Sequence, residues 1–390
     1  MYLILNSRKT RLAFILITAL SSGNVNAQGP ASQRGEYLAT IGACAACHTP
    51  PAVKELSQAC TPEEQARETT VRSNPDWFAH LDPAKTMAGG VPFILRFSAT
   101  SSGLVQSSNI TPDMTTGIGN WSEAQIIDAI KLGIRPDGSS LFRFAPHTFY
   151  ENLAQDDLQS LAAYLKSLRP ISNAIQPRNL PFPTQPANPK PSIPQAPQGR
   201  NPARAEYLMN ALVGCKECHS YHDTSGTLQP FIGGDPIDPF VGVFRLGPDL
   251  PLRQNEKGWS AFPYPGYAVL YGGNLTRFGQ GGDLEPVTPP QIARAIREGV
   301  GTVLDQYGRP QPLAHVMLWQ FYRDMTDTDA LALSDYLKSL NFIPHDIGQR
   351  LRLFGTDREA AFKQVFGTLP SSNDRLIFGL DGMPSQCPKN

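Results

Sequence analysis

The chain has 390 residues, 41% of them hydrophobic, and sets 34 lysines and arginines against 34 aspartates and glutamates. A net charge of zero supplies no overall field to draw the protein to nucleic acid or to an anionic membrane surface. The length exceeds what a single core usually serves, so two domains are expected.

Residues 1–27 have the make-up of a cleavable signal peptide. Arg8, Lys9 and Arg11 form a basic start, Leu12 to Leu20 is an apolar stretch, and Val25-Asn26-Ala27 is a small-residue cleavage site. The apolar stretch is too short to span a bilayer. The expected location is the periplasm, with a peripheral position at the inner membrane left open.

Cys44-Ala45-Ala46-Cys47-His48 comes next, and Cys215-Lys216-Glu217-Cys218-His219 repeats it. Cys-x-x-Cys-His is the attachment signature of c-type haem. Cysteines three apart lie on one face of a helical turn, so both sulfurs can reach the two vinyl groups of one porphyrin. The following histidine then falls under the iron as its proximal ligand. A zinc knuckle would need a second nearby ligand pair, and a redox dithiol has no use for the histidine. Two covalently bound haem c groups are therefore expected, on Cys44, Cys47 and His48 and on Cys215, Cys218 and His219. The two other cysteines, Cys60 and Cys387, are a candidate disulfide in an oxidising compartment.

The surroundings of the two motifs also repeat. Arg34-Gly35-Glu36-Tyr37-Leu38 matches Arg204-Ala205-Glu206-Tyr207-Leu208, Asn109-Ile110-Thr111 matches Asn274-Leu275-Thr276, and Tyr164 to Leu168 matches Tyr336 to Leu340. The expected fold is all-α: two cytochrome c-like haem domains in tandem, residues 33–170 and 202–344, followed by a tail over 345–390. Between the domains lies a linker, 171–201; the stretch from Pro170 to Pro202 holds ten prolines, and its composition favours extended polyproline structure. A plain spacer lying across the surface is the preferred reading.

Helix signals recur inside each copy. Ser122-Glu123-Ala124-Gln125 is a capping box ahead of Ile126, Ile127, Ala129 and Ile130, and Thr288-Pro289-Pro290-Gln291 repeats it ahead of Ile292, Ala295 and Ile296. Closing helices are predicted over Asp157 to Leu168 and Thr326 to Leu340, and each haem motif is predicted to end the first helix of its copy. The long loops, 48–109 and 219–274, are expected to shield the porphyrins from water. A short helical tail is expected after Pro344.

At this point the residues resemble a family. Arg34 to Leu38 ahead of the first haem motif, Ala88-Gly89-Gly90 with Pro92-Phe93, and Asn109-Ile110-Thr111-Pro112-Asp113 with Thr116-Gly117-Ile118-Gly119 are similar to motifs of the cytochrome c subunits of membrane-associated bacterial dehydrogenases for alcohols, gluconate and related sugars. The resemblance implies electron transfer, so an electron carrier, alone or as a subunit of a dehydrogenase complex, is expected ahead of an enzyme. Single electrons would pass from a periplasmic dehydrogenase to an oxidase, a quinone-linked complex or a small cytochrome of the respiratory chain.

The sixth iron ligand separates the copies. In the second, Met317 is favoured, since the corresponding loop of the family commonly carries methionine there; Met325 is the rival, and the plainer reading of either is a core methionine that fills a gap. In the first copy Ala145 and Leu153 stand at those two positions. Three arrangements stay open for the first haem: ligation by His147, delivery of Met114, Met87 or His80 by the long loop, or an open site. His147 leads among single residues, and its plainer alternative is a hydrogen-bonding role beside a propionate. Arg143 could pair with a propionate, a solvated surface position being the plainer reading. An open first haem would favour the alternative function, a dihaem enzyme with peroxidase-like chemistry; a haem-based gas sensor shares that requirement.

Overall fold

A computed structural model describes residues 29–50, 81–98, 101–142, 149–187, 190–235, 244–246, 251–255, 258–261, 266–304, 308, 310–313, 317–348, 351–355 and 360. The signal region, Cys60, His80, Arg143, Ala145, His147 and Cys387 lie outside these residues.

The architecture is helix-rich. In the first copy the helices are α1 (Pro30–Ile41), the short α2 (Cys44–His48), α3 (Glu123–Leu132) and α4 (Gln155–Ser167). The second has α5 (Pro202–Ala211), the short α6 (Cys215–Cys218), α7 (Pro289–Glu298), a single turn α8 (Trp319–Tyr322) and α9 (Asp327–Ser339). The predicted starts are in place. Gln125 N–H donates to Ser122 Oγ (3.2 Å) while Ser122 N–H donates to Gln125 Oε1 (2.9 Å), and Thr288 N–H donates to Gln291 Oε1 (2.9 Å). Thr326 Oγ1 accepts from Asp329 N–H (3.2 Å), and the closing helices α4 and α9 fall within two residues of their predicted ranges.

Apolar faces of these helices build a main core that runs through both copies and a smaller cluster of Ile118, Ile126, Ala162 and Leu165. Leu38, Ile41, Leu153, Leu158 and Leu161 belong to the same cluster as Leu208, Ile292, Met325, Leu333 and Leu337. Each such side chain contributes roughly 1.5–3 kcal/mol when fully buried. Helix α1 crosses α4 at Gly35, where a Cβ would overlap the backbone of Ser160.

Short antiparallel strands occupy parts of the long loops. Strands β1 (Pro92–Ser98) and β2 (Ser101–Gln106) form a hairpin in the register Phe93–Val105 and Ile94–Leu104. In the second copy β3 (Tyr221–His222) pairs with β4 (Leu228–Gln229). Further along are β5 (Phe244–Leu246), the hairpin of β6 (Pro251–Asn255) with β7 (Gly258–Ala261), and β8 (Gly266–Leu270). Beyond α7, β9 (Val300–Leu304) pairs with β10 (Pro310–Pro312). The start of the tail differs from expectation: Leu351–Gly355 is a strand, β11, paired with β8 in a sheet of order β11-β8-β5. The free edge of β8 supplies backbone partners that a lone short helix would lack.

The described residues between 170 and 201 run extended along the first copy, with no helix among them. Ala187 N–H donates to the Leu132 carbonyl (2.9 Å), Ile193 and Pro194 carbonyls accept from Gln155 and Asp156 N–H at the start of α4, and Lys190 pairs with Glu151.

Where α1, α4, α5 and α9 meet, six polar side chains close a ring. Arg34 Nε donates to Asp157 Oδ1 (3.0 Å), and Tyr207 of the other copy donates to Asp157 Oδ2 (2.8 Å). Reciprocally, Arg204 Nε donates to Asp329 Oδ1 (2.7 Å), and Tyr37 donates to Asp329 Oδ2 (2.6 Å). Each guanidinium also lies over the tyrosine ring of its own helix, Arg34 at 5.4 Å from Tyr37 and Arg204 at 5.7 Å from Tyr207. Burial alone would raise the Asp329 carboxyl, but the hydrogen bonds of Arg204 and Tyr37 outweigh it and hold the group below its ordinary value. Burial, reinforced by Asp329, pushes the Tyr37 phenol up to about 12.

Because Asp329 binds its proton more weakly folded than unfolded, its stabilisation is complete above the unfolded value of about 4 and is lost as pH falls through the lower folded value. The buried Arg204–Asp329 pair, 1% and 6% exposed at the side chains, should cost about 3–5 kcal/mol when Asp329→Ala strands the guanidinium. Tyr37→Phe should cost roughly 1.5–3 kcal/mol, the worth of a hydrogen bond to a charged group. Denaturant unfolding of both variants checks these values, and Asp329→Asn should flatten the acid limb of the stability profile.

Candidate functional site

Each Cys-x-x-Cys-His motif forms its own helical turn, where the sequence predicts a continuation of the preceding helix. The break has a local cause: Ala43 (φ 54°) and Gly214 (φ 57°) are left-handed and restart the chain at Cys44 and Cys215. Within each turn the i and i+3 sulfurs share a face, as covalent attachment to one planar group requires. The four motif cysteines are half-buried. Burial pushes the Cys44 and Cys215 thiols up to about 11.

His48 Nδ1 lies 2.7 Å from the Ser108 carbonyl oxygen, and His219 Nδ1 lies 2.8 Å from that of Gly273. A carbonyl only accepts, so Nδ1 must carry the proton in both rings, and Nε2 is left with a bare lone pair. Burial lowers the His48 pKa despite the opposing effect of the Ser108 bond, which keeps the ring neutral and able to ligate. One histidine of fixed tautomer beside two thiols on one turn fits the demands of a covalently held haem.

The backbone of each motif histidine is held as well. The His48 carbonyl accepts from Gly89 N–H (2.7 Å), and the His219 carbonyl accepts from Gly233 N–H (2.9 Å). Gly89 (φ 72°) and Gly233 (φ 66°) are left-handed and press on the accepting peptides: a Cβ on Gly89 would come within 2.6 Å of Asn109 N, and one on Gly233 within 2.6 Å of Gly273 C. Just before them Met87 (φ 61°) and Phe231 (φ 67°) are also left-handed, an uncommon state for bulky residues. Their carbonyls accept from Ile110 and Leu275 N–H at 3.0 and 2.8 Å.

On the other side of each motif a buried phenol donates to the backbone, Tyr150 to the Gly42 carbonyl (2.6 Å) and Tyr322 to that of Val213 (3.0 Å). Burial first, then the neighbouring cysteines, holds both phenols well above their usual value, so they remain donors.

The sixth-ligand candidates are dispersed. Met317 is half-buried just ahead of α8. Met325 is 2% exposed in the main core, and Leu153, its counterpart, is fully buried in that cluster. Met87 is buried on the proximal-histidine side, its N–H donating to Thr49 Oγ1 (3.1 Å), and Met114 is 62% exposed on a surface turn. In α8 the Gln320 side-chain amide is buried without a hydrogen-bond partner among the described residues, a polar group left for something else to satisfy.

The Asp157/Asp329 ring and the glycine wedges lie outside what sequence reasoning identified. A signal for both existed: Arg34, Tyr37, Arg204 and Tyr207 fall inside the repeated pentapeptides, and Gly89 inside the Ala-Gly-Gly motif.

No protein-family model matches the chain. The gluconate 2-dehydrogenase cytochrome c subunit of Pantoea cypripedii is 25% identical over 322 residues, covering 79% of this chain and 59% of that protein. The alcohol dehydrogenase (quinone) cytochrome c subunit of Gluconacetobacter polyoxogenes is 25% identical over 399 residues, covering 95% and 68%. This chain resembles the cytochrome c subunits of bacterial dehydrogenases. A diheme cytochrome c-type protein of Cereibacter sphaeroides is 27% identical over 199 residues, covering 48% of this chain and 57% of its own length. The chain spans 59% and 68% of the two dehydrogenase subunits, so the likeness concerns part of each.

The wedge geometry makes a direct prediction. Gly138 has φ 79° with open space around its Cβ position, so Gly138→Ala should cost only the left-handed backbone term of about 1–2 kcal/mol. Gly89→Ala and Gly233→Ala should cost clearly more, because the new methyl displaces the peptide that holds the histidine. Thermal unfolding of the three variants side by side reads the difference.

Proposed function

We propose that the chain is an exported c-type cytochrome of two tandem haem domains, residues 33–170 and 202–344, joined by the proline-rich segment 171–201, that carries single electrons between a dehydrogenase and a respiratory acceptor. One observation carries the reading: the same histidine-to-carbonyl bond, glycine wedge and buried phenol recur beside both Cys-x-x-Cys-His turns. Duplicated detail of that kind supports a duplicated cofactor site. The naming of relatives as cytochrome c subunits supports haem c, and the diheme relative supports a pair of them.

Haem, when bound, supplies one-electron chemistry, and the protein sets ligation, burial and distance. Cys44 and Cys47, like Cys215 and Cys218, provide the sulfur anchors, while His48 and His219 present Nε2. Met317 is the favoured second ligand in the second domain. Burial of Met325 in the same core as Leu153 supports a packing role for it. His147 remains the leading protein ligand for the first iron. The carrier reading asks no substrate chemistry of the side chains. No helix among the described residues is long and apolar enough to cross a membrane. The signal-like composition of residues 1–27 supports a periplasmic location, and the likeness to dehydrogenase subunits supports docking to a dehydrogenase.

Haem content of the purified mature chain, measured as pyridine haemochrome, should be two per polypeptide. Cys44→Ala with Cys47→Ala should remove one haem and Cys215→Ala with Cys218→Ala the other; an exported, folded chain without covalent haem would refute the proposal. Electron paramagnetic resonance of the oxidised protein should show two low-spin signals, one becoming high-spin in Met317→Ala. A high-spin signal in the unmodified chain that His147→Ala leaves alone would favour the peroxidase-like alternative.

A further inference from the structure

The repeated Asn-x-Thr motif has no part in haem attachment, yet both copies are buried and hydrogen-bonded. Asn109 Oδ1 accepts from Thr111 N–H (3.0 Å) and Thr111 Oγ1 (2.7 Å); Asn274 Oδ1 accepts from Thr276 N–H (2.9 Å) and Thr276 Oγ1 (2.6 Å). The amide nitrogens reach outward. Asn109 Nδ2 donates to the Ile171 carbonyl (2.7 Å) and Asn274 Nδ2 to that of Ile343 (2.8 Å). Ile171 and Ile343 occupy the same place, just beyond the closing helices α4 and α9, and each returns a bond from its own N–H to the threonine hydroxyl, at 3.1 and 3.0 Å.

Each asparagine immediately follows the residue whose carbonyl accepts from a motif histidine, so the peptide between them is shared. Its oxygen faces Nδ1, its other face lies against Gly89 or Gly233, and its asparagine end is tied through Ile171 or Ile343 to the chain leaving the closing helix. The motif therefore has a geometric role that packing alone does not require: it fixes where the carbonyl oxygen stands relative to the histidine ring.

We propose that Asn109 with Thr111, and Asn274 with Thr276, are positioning residues that set the strength of the proximal histidine's Nδ1–H bond and thereby tune the reduction potential of each haem separately. The inference rests on the haem reading above. A strong bond to a carbonyl makes the imidazole a more basic ligand, which favours oxidised iron and lowers the potential. Slackening the carbonyl raises it. In the first copy the tie extends further, since Thr116 Oγ1 accepts from Asn109 Nδ2 (2.9 Å) and from Asn173 N–H (2.9 Å) in the proline-rich segment. That segment thus bears on the first haem.

The test is an optical redox titration of the full-length holoprotein, with the two haems in one chain serving as controls for each other. Asn109→Ala should raise one midpoint potential and leave the other unmoved, and Asn274→Ala should do the converse. Thr111→Val should shift the same haem as Asn109→Ala, while Thr111→Ser, which keeps the hydroxyl, should restore the original value; this pair decides the matter if Asn109→Ala fails to fold. Proton exchange at His48 Nδ1, followed by NMR, should quicken in Thr111→Val and not in Thr111→Ser. Unchanged potentials in variants that retain both haems, or equal shifts of both haems from one substitution, would overturn the proposal. Loss of haem from the unmodified chain would instead refute the haem reading itself.

Discussion

A carboxylate buried at the start of a helix is costly unless cations and donors meet it, and two such carboxylates organise this protein. Asp157 and Asp329 each take a guanidinium from their own copy and a phenol from the other. Neither copy can satisfy its own aspartate completely. The phenols do a second task, because Tyr207 and Tyr37 oxygens also accept from the N–H groups of Ala154 and Thr326 at the helix starts. The ring therefore fixes the orientation of four helices with directional bonds, and the surrounding leucines, which have no directional preference of their own, supply the bulk of the burial.

From that frame the two haem motifs inherit their positions. Helices α1 and α5 carry the arginine and tyrosine of the ring and end just before the motifs, so the left-handed residues Ala43 and Gly214 start from anchored points. The backbone strain at Met87 and Phe231 belongs to the same design: unfavourable conformations persist where neighbours over-determine them. Here Thr49 and Ser220 hydroxyls and the Ile110 and Leu275 N–H groups do so.

Local chemistry was readable from sequence, and long-range exchange was not. The Ser122 and Thr288 helix starts and the closing helices depend on neighbours within a few residues, and these stand where spacing put them. The pairing of Tyr37 with Asp329 spans most of the chain and has no local signature; only the recurrence of arginine and tyrosine at the same offsets hinted at a shared task. The tail strand Leu351–Gly355 was unreadable for a related reason, since its partner β8 lies far upstream. The Asn-x-Thr motif was visible as a repeat, but its meaning required seeing which carbonyl it neighbours.

The extended segment 170–201 changes the thermodynamics of the ring as well as its geometry. Two like surfaces that exchange tyrosines have the form of an isologous pair, whose association as separate molecules would depend on concentration. A covalent connection makes the encounter intramolecular. Dilution then no longer opposes pairing. Once pairing is assured by connectivity, each surface needs to match only its neighbour and no longer itself, which leaves the two copies free to diverge, as they do at Ala145 and Met317.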